Sequence, residues 1–242
     1  LTPFNTIRRF SRCNWGAGQM VKVNKLTIKN TFVPDFGETL PDLPDRPKTR
    51  SPSELGGKKT ILGDTHTDSS DLALAWGRII HLLIEILSDI DPKLRLAAAE
   101  GLAHNHPDAG LIPSMGDLIE EAIKTLNAPN LSWVFKSGLA EVPISATLPS
   151  LGKDRMYGFI DRLIVTETDV FAVDFKSNRI VPEMPEETPI GLVRQMAAYR
   201  DALKQIFPNH HIHTFLLWTK TGTTTELSDM ILDAALNDVT TP

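Results

Sequence analysis

One pair of segments constrains this chain more than any other: Gly158-Phe159-Ile160-Asp161-Arg162, followed by Val173-Asp174-Phe175-Lys176. Residues 157–165 are rich in apolar and aromatic side chains, and residues 170–177 alternate around an apolar face. Both patterns predict strands, joined here as a β-hairpin. The turn centres on Glu167-Thr168, so a tight turn pairs Thr166 with Asp169, and counting outward sets Asp161 opposite Asp174. A four-residue turn from Val165 to Val170 gives the same register. Facing side chains point to one face of the sheet, with Cβ atoms about 4.5–5.5 Å apart. Lys176, two residues beyond Asp174, joins that face. Two facing carboxylates repel one another. Either they are solvated on an open sheet face, or a divalent cation lies between them, where hard oxygen ligands suit Mg²⁺ or Mn²⁺. An ammonium beside such a cation can handle a water or a developing charge.

Three other segments carry polar residues in informative places. On the helix predicted over residues 71–90, taking Ile79 as origin, Ile80, Leu83, Ile86 and Leu87 fall within about 100° of it. His81 falls at about 200°, beside Gly77 one turn earlier and Glu85 one turn later, and so lies off the apolar face. It is either an ordinary exposed histidine or a group facing a neighbour admitted by the missing side chain of Gly77. Glu141 lies in a predicted strand whose Pro143 marks an edge or an end. It is a solvated strand residue or part of a site. Gln195 and Tyr199, four apart on the helix predicted over 190–206, are neighbours on one face. The plain alternative is a helix that half-buries a tyrosine. His104, His106, His210, His211 and His213 have no Cys or acid at zinc-site spacing and read as surface or helix-end residues.

Ile160-Asp161-Arg162 with Val173-Asp174-Phe175-Lys176 resembles the core of the PD-(D/E)xK nuclease superfamily, in its RecB-like branch. Ile160 stands where a proline is usual. Gly77-Arg78-Ile79-Ile80-His81 is similar to the family's helical histidine motif, and Ala140-Glu141-Val142-Pro143-Ile144 to its first-strand glutamate motif. Gln195-Met196-Ala197-Ala198-Tyr199 is similar to its Gln-xxx-Tyr helix, and all occur in the right order. Phe215-Leu216-Leu217-Trp218-Thr219 resembles one subgroup, the C-terminal nuclease domains of AddA-type helicase–nuclease subunits in bacterial double-strand-break repair. The resemblance covers about residues 51–238.

The resemblance implies an α/β, restriction-endonuclease-like fold: a central mixed sheet containing an antiparallel three-strand unit, flanked by helices, with an N-terminal helical insertion. It implies a nuclease domain over residues 51–242, preceded over 1–50 by a lead-in and proline-rich linker from a helicase region. Mg²⁺ or Mn²⁺ would be held by His81, Asp161, Asp174 and the Phe175 carbonyl, with Glu141 nearby, directly or through water. Lys176 would orient the attacking group or stabilise transition-state charge, and Gln195 and Tyr199 would orient Lys176 and a phosphate. By their positions Ser177, Asn178 and Arg179, just after the catalytic strand, could touch the substrate, and Arg194 and Arg200 are either further phosphate contacts or ordinary solvated arginines. The implied activity is hydrolysis of DNA phosphodiester bonds by an exonuclease. It would act in the cytoplasm on a single-stranded end delivered by a helicase, alongside an AddB-like partner subunit. A free-standing exonuclease and a catalytically silent nuclease fold are the alternatives.

The composition bears on these expectations. A chain of 242 residues with 41% hydrophobic and 23% charged content suits one large domain, or a domain with an appendage. No apolar run reaches membrane-spanning length, and the N-terminus lacks the apolar stretch of a signal peptide. The single cysteine, Cys13, excludes an internal disulfide and separates the chain from relatives that hold an iron–sulfur cluster. A net charge of −5 is awkward for an independent DNA binder and easier for a module fed by a motor. The chain begins at Leu1, which suggests a piece of a longer protein. The basic residues Arg8, Arg9 and Arg12, a short strand over 21–28 and the prolines of 34–52 read as a lead-in and extended linker.

Overall fold

The computed structural model describes residues 47–60 and 70–237. The basic segment, Cys13, the strand expected over 21–28, most of the proline-rich stretch and residues 61–69 of the following polar loop lie outside the described residues.

The elements run β1 (Thr49–Arg50), α1 (Ser70–Ser88), α2 (Arg95–His104), α3 (Met115–Asn127), α4 (Ser132–Lys136), β2 (Leu139–Thr147), β3 (Arg155–Val165), β4 (Asp169–Lys176), α5 (Ile190–Ile206), β5 (His211–Trp218), β6 (Thr223–Glu226) and α6 (Asp229–Asn237). They build a mixed sheet in the order β1-β3-β4-β5-β6, with β2 on the other edge of β3. β2, β3 and β4 are antiparallel neighbours, as expected. β4 and β5 are parallel, and α5 makes the crossover that a parallel pair requires.

The sheet separates two cores. On one side α5 and α6 pack on Met156, Ile160, Val170, Ala172, Leu216 and Trp218. On the other, α1, α2, α3 and α4 pack on Val173, Phe175 and Leu217. The alternation of β4 and β5 residues between these cores is the period-two rule applied to strands buried on both faces. Phe171 and Phe175 meet Trp133 and Phe135 across ring centroids 5.9 and 6.2 Å apart. That places Asp174 and Lys176 on the α5 face.

The hairpin has the register expected. Thr166 N–H donates to Asp169 O at 2.8 Å, and residues 162–165 pair with 170–173. The ladder stops at Arg162↔Val173, one pair short of the two aspartates. α2 begins at Arg95, and Asp91 caps the turn before it, its Oδ1 accepting from Lys93 N–H at 2.9 Å. Ser114 precedes α3 but makes no side-chain cap. α4, β1 and β6 were not expected, being too short for a periodic signal.

Two residues beside the hairpin tie the layers together. An added Cβ on Gly158 would come within 2.7 Å of Pro52 Cδ, so only glycine lets β3 lie against the 3-10 turn Pro52–Glu54. Arg162 is buried and donates to the Val134 and Phe135 carbonyls at 3.1 and 3.3 Å, capping the last turn of α4.

Arg200 is turned into the protein, to carboxylates of α5 and α6. It is 3% exposed, and its guanidinium lies 2.7 Å from Asp201, 2.9 Å from Asp229 and 2.6 Å from Asp233. It clamps α6 to α5. Arg194 likewise turns to α6, its Nε donating to Ala235 O at 3.2 Å. Arg200→Met should therefore cost about 1–2 kcal/mol, since α6 loses its tie to α5 while the largely exposed Asp229 and Asp233 stay hydrated. A thermal melt should fall by roughly 3–6 °C. An unchanged melting temperature would show that the clamp does not hold α6.

Candidate active site

The site is built where the sheet forks. β3 pairs with β2 along one edge. On its other edge it pairs with β1 only at Arg155 and Met156, and with β4 only from Arg162 onward. Among the described residues, 157–161 thus have no partner strand on that side. Asp161 stands at the crotch of this fork. The registers set Glu141 opposite Asp161 and Asp161 opposite Asp174; the first pair is skipped inside the β2–β3 ladder, and the second lies one step beyond the end of the β3–β4 ladder. Three carboxylates therefore occupy one row across β2, β3 and β4.

Glu141 has φ +49°, the one positive value at a non-glycine among the described residues. Left-handed backbone at such a residue costs about 1–3 kcal/mol and persists only where its surroundings hold it. Asp161 turns its carboxylate into the opened strand, and Oδ2 accepts from Phe175 N–H at 2.5 Å. His81 reaches in from α1 with Nε2 2.9 Å from the Phe175 carbonyl and Nδ1 3.6 Å from Asp161 Oδ2. A carbonyl only accepts, so Nε2 carries a proton and Nδ1 is presented to the acids. Gly77, one turn before His81, admits a close neighbour as expected: an added Cβ would lie 3.4 Å from Ser177 Oγ.

Asp174, 2% exposed, is held differently. Its Oδ2 pairs with the Lys176 ammonium, and Oδ1 accepts from Gln195 Nε2 at 2.7 Å. Gln195 Oε1 lies 3.3 Å from Lys176 Nζ, so one amide grips both members of the pair. Gln195 Nε2 is also 3.4 Å from the Tyr199 hydroxyl, which donates to Phe159 O at 2.6 Å. α5 thereby fixes Lys176 on β4 and the backbone of β3 with one pair of residues. Tyr199 is buried next to the Asp174 charge, and both push its phenol far above the ordinary range. It is a neutral positioning group.

Ligand atoms of His81, Glu141 and Asp161 lie within 4.8 Å of one another. Asp174 is held by Lys176 and Gln195, and the Phe175 carbonyl accepts from His81. One imidazole nitrogen and two carboxylates fit a divalent cation.

The electrostatics point the same way. Burial pushes the Glu141 carboxyl up, and the Asp161 charge adds to this. Burial also pushes Asp174 up, against the Lys176 ammonium. Asp161 is buried too, but the charges of His81 and Lys176 and the Phe175 amide hold it below the carboxylate range. His81 loses hydration by burial, which Asp161 more than offsets, so its imidazole lies above its ordinary value. Opposed shifts among titratable groups in mutual contact are the pattern that catalytic and metal sites share.

A cleft of about 1110 Å³ opens beside Lys176 and Gln195, lined among others by Lys59, Trp76, Arg179 and Lys220. Ser177 and Asn178, beside Arg179, line it as well. Lys59 and Lys220 carried no motif in the sequence. Lys59 is carried by a loop whose Lys59 carbonyl accepts from Asn178 Nδ2 at 3.1 Å. Partial burial and the nearby Lys176 charge push its ammonium down. Among the described residues, no helix is long and apolar enough to cross a membrane.

Compared with known proteins, residues 55–227 match the family model of the PD-(D/E)XK nuclease superfamily. No curated protein matches the chain.

Proposed function

The chain belongs to the PD-(D/E)XK nuclease superfamily, and from that premise we propose that it is a divalent-metal-dependent deoxyribonuclease. In this reading it is the exonuclease module of an AddAB/RecBCD-type helicase–nuclease, with residues 1–50 as the lead-in from the motor. It works in the cytoplasm beside an AddB-like subunit on strands delivered by the helicase.

The observation that carries the catalytic reading is the interrupted row Glu141–Asp161–Asp174, with His81 and Lys176 at its ends. His81, Glu141 and Asp161 would hold Mg²⁺ or Mn²⁺. When bound, the ion supplies Lewis acidity to the phosphoryl oxygen and acidifies a water. Lys176, fixed by Asp174 and Gln195, presents an ammonium to the charge that builds on the phosphoryl group. Tyr199 and Gln195 keep that ammonium in place. The motif Phe215-Leu216-Leu217-Trp218-Thr219 and the net charge of −5 favour a motor-fed module over a free-standing enzyme.

The test is cleavage of linear DNA by the purified chain in Mg²⁺, Mn²⁺ or chelator. Slow cutting at low salt that needs metal is expected, becoming fast and ATP-dependent in the helicase–nuclease. Cutting that survives chelation, or none with either metal, overturns the catalytic reading. Submicromolar affinity of the chain alone for single strands at physiological salt overturns the motor-fed one.

A further inference from the structure

The unpaired edge of β3 carries two aromatic rings beside the metal group. Along the strand Met156, Gly158 and Ile160 turn inward, while Tyr157 and Phe159, each 45% exposed, turn outward. The two rings meet edge to face, with centroids 5.5 Å apart and planes at 75°. Across the β2 ladder Phe159 faces Pro143 and Tyr157 faces Ser145, which are themselves exposed and cover neither ring. Phe159 precedes Asp161 by two residues, just as Pro143 follows Glu141 by two. The rings therefore turn away from the α5 core, to the layer from which His81 of α1 reaches Asp161, with Phe159 about 6.7 Å along the strand from Asp161, Tyr157 one such step further and Arg155 another. The position of Phe159 is fixed, because its carbonyl takes the Tyr199 hydroxyl at 2.6 Å. The same α5 residues thus set the rings and Lys176 in one frame.

We propose that Tyr157 and Phe159 form a base-stacking subsite for unpaired nucleotides of the strand whose phosphate is cut. This rests on the nuclease reading above. A polymer that places a phosphate at Glu141, Asp161 and His81 must carry its neighbouring nucleotides over an adjoining surface, and this row is immediately continuous with those ligands. Aromatic rings bind any base by its π-face, without sequence preference. In a duplex both faces of a base are covered by its neighbours, so only a single strand or a frayed end can use the rings. The subsite therefore selects unpaired DNA. Exposed Arg155, at the far end, stands where a further phosphate would pass.

The test compares the parent chain with the double variant Tyr157→Ala/Phe159→Ala. Substrates are a single-stranded oligonucleotide, the same strand with abasic sites near the cut, and a blunt duplex. Strand binding is also read by fluorescence anisotropy in chelator, where nothing is cut. The double variant should raise KM on the intact strand by tenfold or more per ring, the usual scale of base–aromatic stacking. It should lose the preference for single strand over duplex, and behave like the parent on the abasic strand. Its Mn²⁺-induced rise in melting temperature should remain, which shows that the fold and the metal group are intact. Phe159→Trp should keep the parent KM. Equal KM for parent and double variant on the intact strand overturns the proposal, as does an equal loss on the abasic strand; either result would leave the rings to a protein partner. If the parent cuts no DNA, the nuclease reading fails and anisotropy still decides. Base-dependent strand binding lost in the variant upholds the subsite, and unchanged binding overturns it.

Discussion

Asp161→Asn should lose both the metal-induced rise in melting temperature and detectable DNA cleavage. The substitution keeps the shape of the side chain and an oxygen that can still accept from Phe175 N–H, so the fork in the sheet should survive. What it removes is the negative charge facing His81 and adjoining Glu141. Without metal the effect on stability should be small, because the lost attraction to His81 is offset by lost repulsion from Glu141 and Asp174. With metal the effect should be large, since a ligand that prefers the folded state no longer has its central donor. Cleavage should fall by about 10³-fold or more, on the scale of removing a group that acts on transition-state charge. Melting curves across millimolar Mg²⁺ and Mn²⁺, with cleavage of a labelled strand, check both parts. A variant that keeps the parent's metal-induced gain would remove Asp161 from the ligand set. The same picture fixes a pH dependence in the parent. Glu141 and His81 both hold their protons more tightly than usual, and a cation must displace those protons. The metal-induced gain should therefore shrink as pH falls through the His81 value, which lies above 6.5.

Much of this arrangement was legible in the sequence, for physical reasons. The register of the β3–β4 hairpin follows from a short turn and period-two alternation, and it held pair by pair as far as Arg162↔Val173. The span of α5 and the pairing of Gln195 with Tyr199 follow from a long periodic run. The off-face position of His81 follows from helical angles, and Ser177 beside Gly77 is the close approach that the glycine signalled. What could not be read is what depends on a break in regularity. The left-handed turn at Glu141 has no local mark, because nothing in Ala140-Glu141-Val142 calls for a positive φ. Nor does alternation tell that the ladder opens just before two aspartates and sends Asp161 to an amide rather than to its facing carboxylate. The burial of Arg200 was also hidden, since its three partners lie one residue away and on a helix almost thirty residues downstream. An arginine next to a Gln-xxx-Tyr motif reads as a phosphate contact until α6 is in place.

Lys176→Ala should lower the cleavage rate by about 10²–10³-fold, the usual loss when one donor to a developing oxyanion is removed. It should leave the metal-induced stabilisation in place, because the ammonium is no ligand. The lysine is also tied to the fold, through its pairing with Asp174. Asp174 Oδ2 is shut away from solvent, accepts no well-angled hydrogen bond and faces the Lys176 ammonium. Removing one partner of a buried pair costs about 3–5 kcal/mol when the other must stay charged. Asp174 has an escape, since burial already pushes its carboxyl above the ordinary 3.8, and without Lys176 it should rise further. A carboxyl whose folded value is raised favours the folded state while protonated, and that advantage is lost as pH climbs through the raised value. The metal-free variant should therefore melt near the parent in acid and progressively below it as Asp174 is forced to ionise. Gln195, which grips both Asp174 and Lys176, would keep its bond to the carboxylate and should hold the backbone of β4 in place. Single-turnover cleavage and melting curves at acidic and neutral pH separate the two roles of the lysine. Cutting at the parent rate would remove it from the chemistry, and a pH-independent melting deficit would mean that Asp174 is not the group left exposed to its loss.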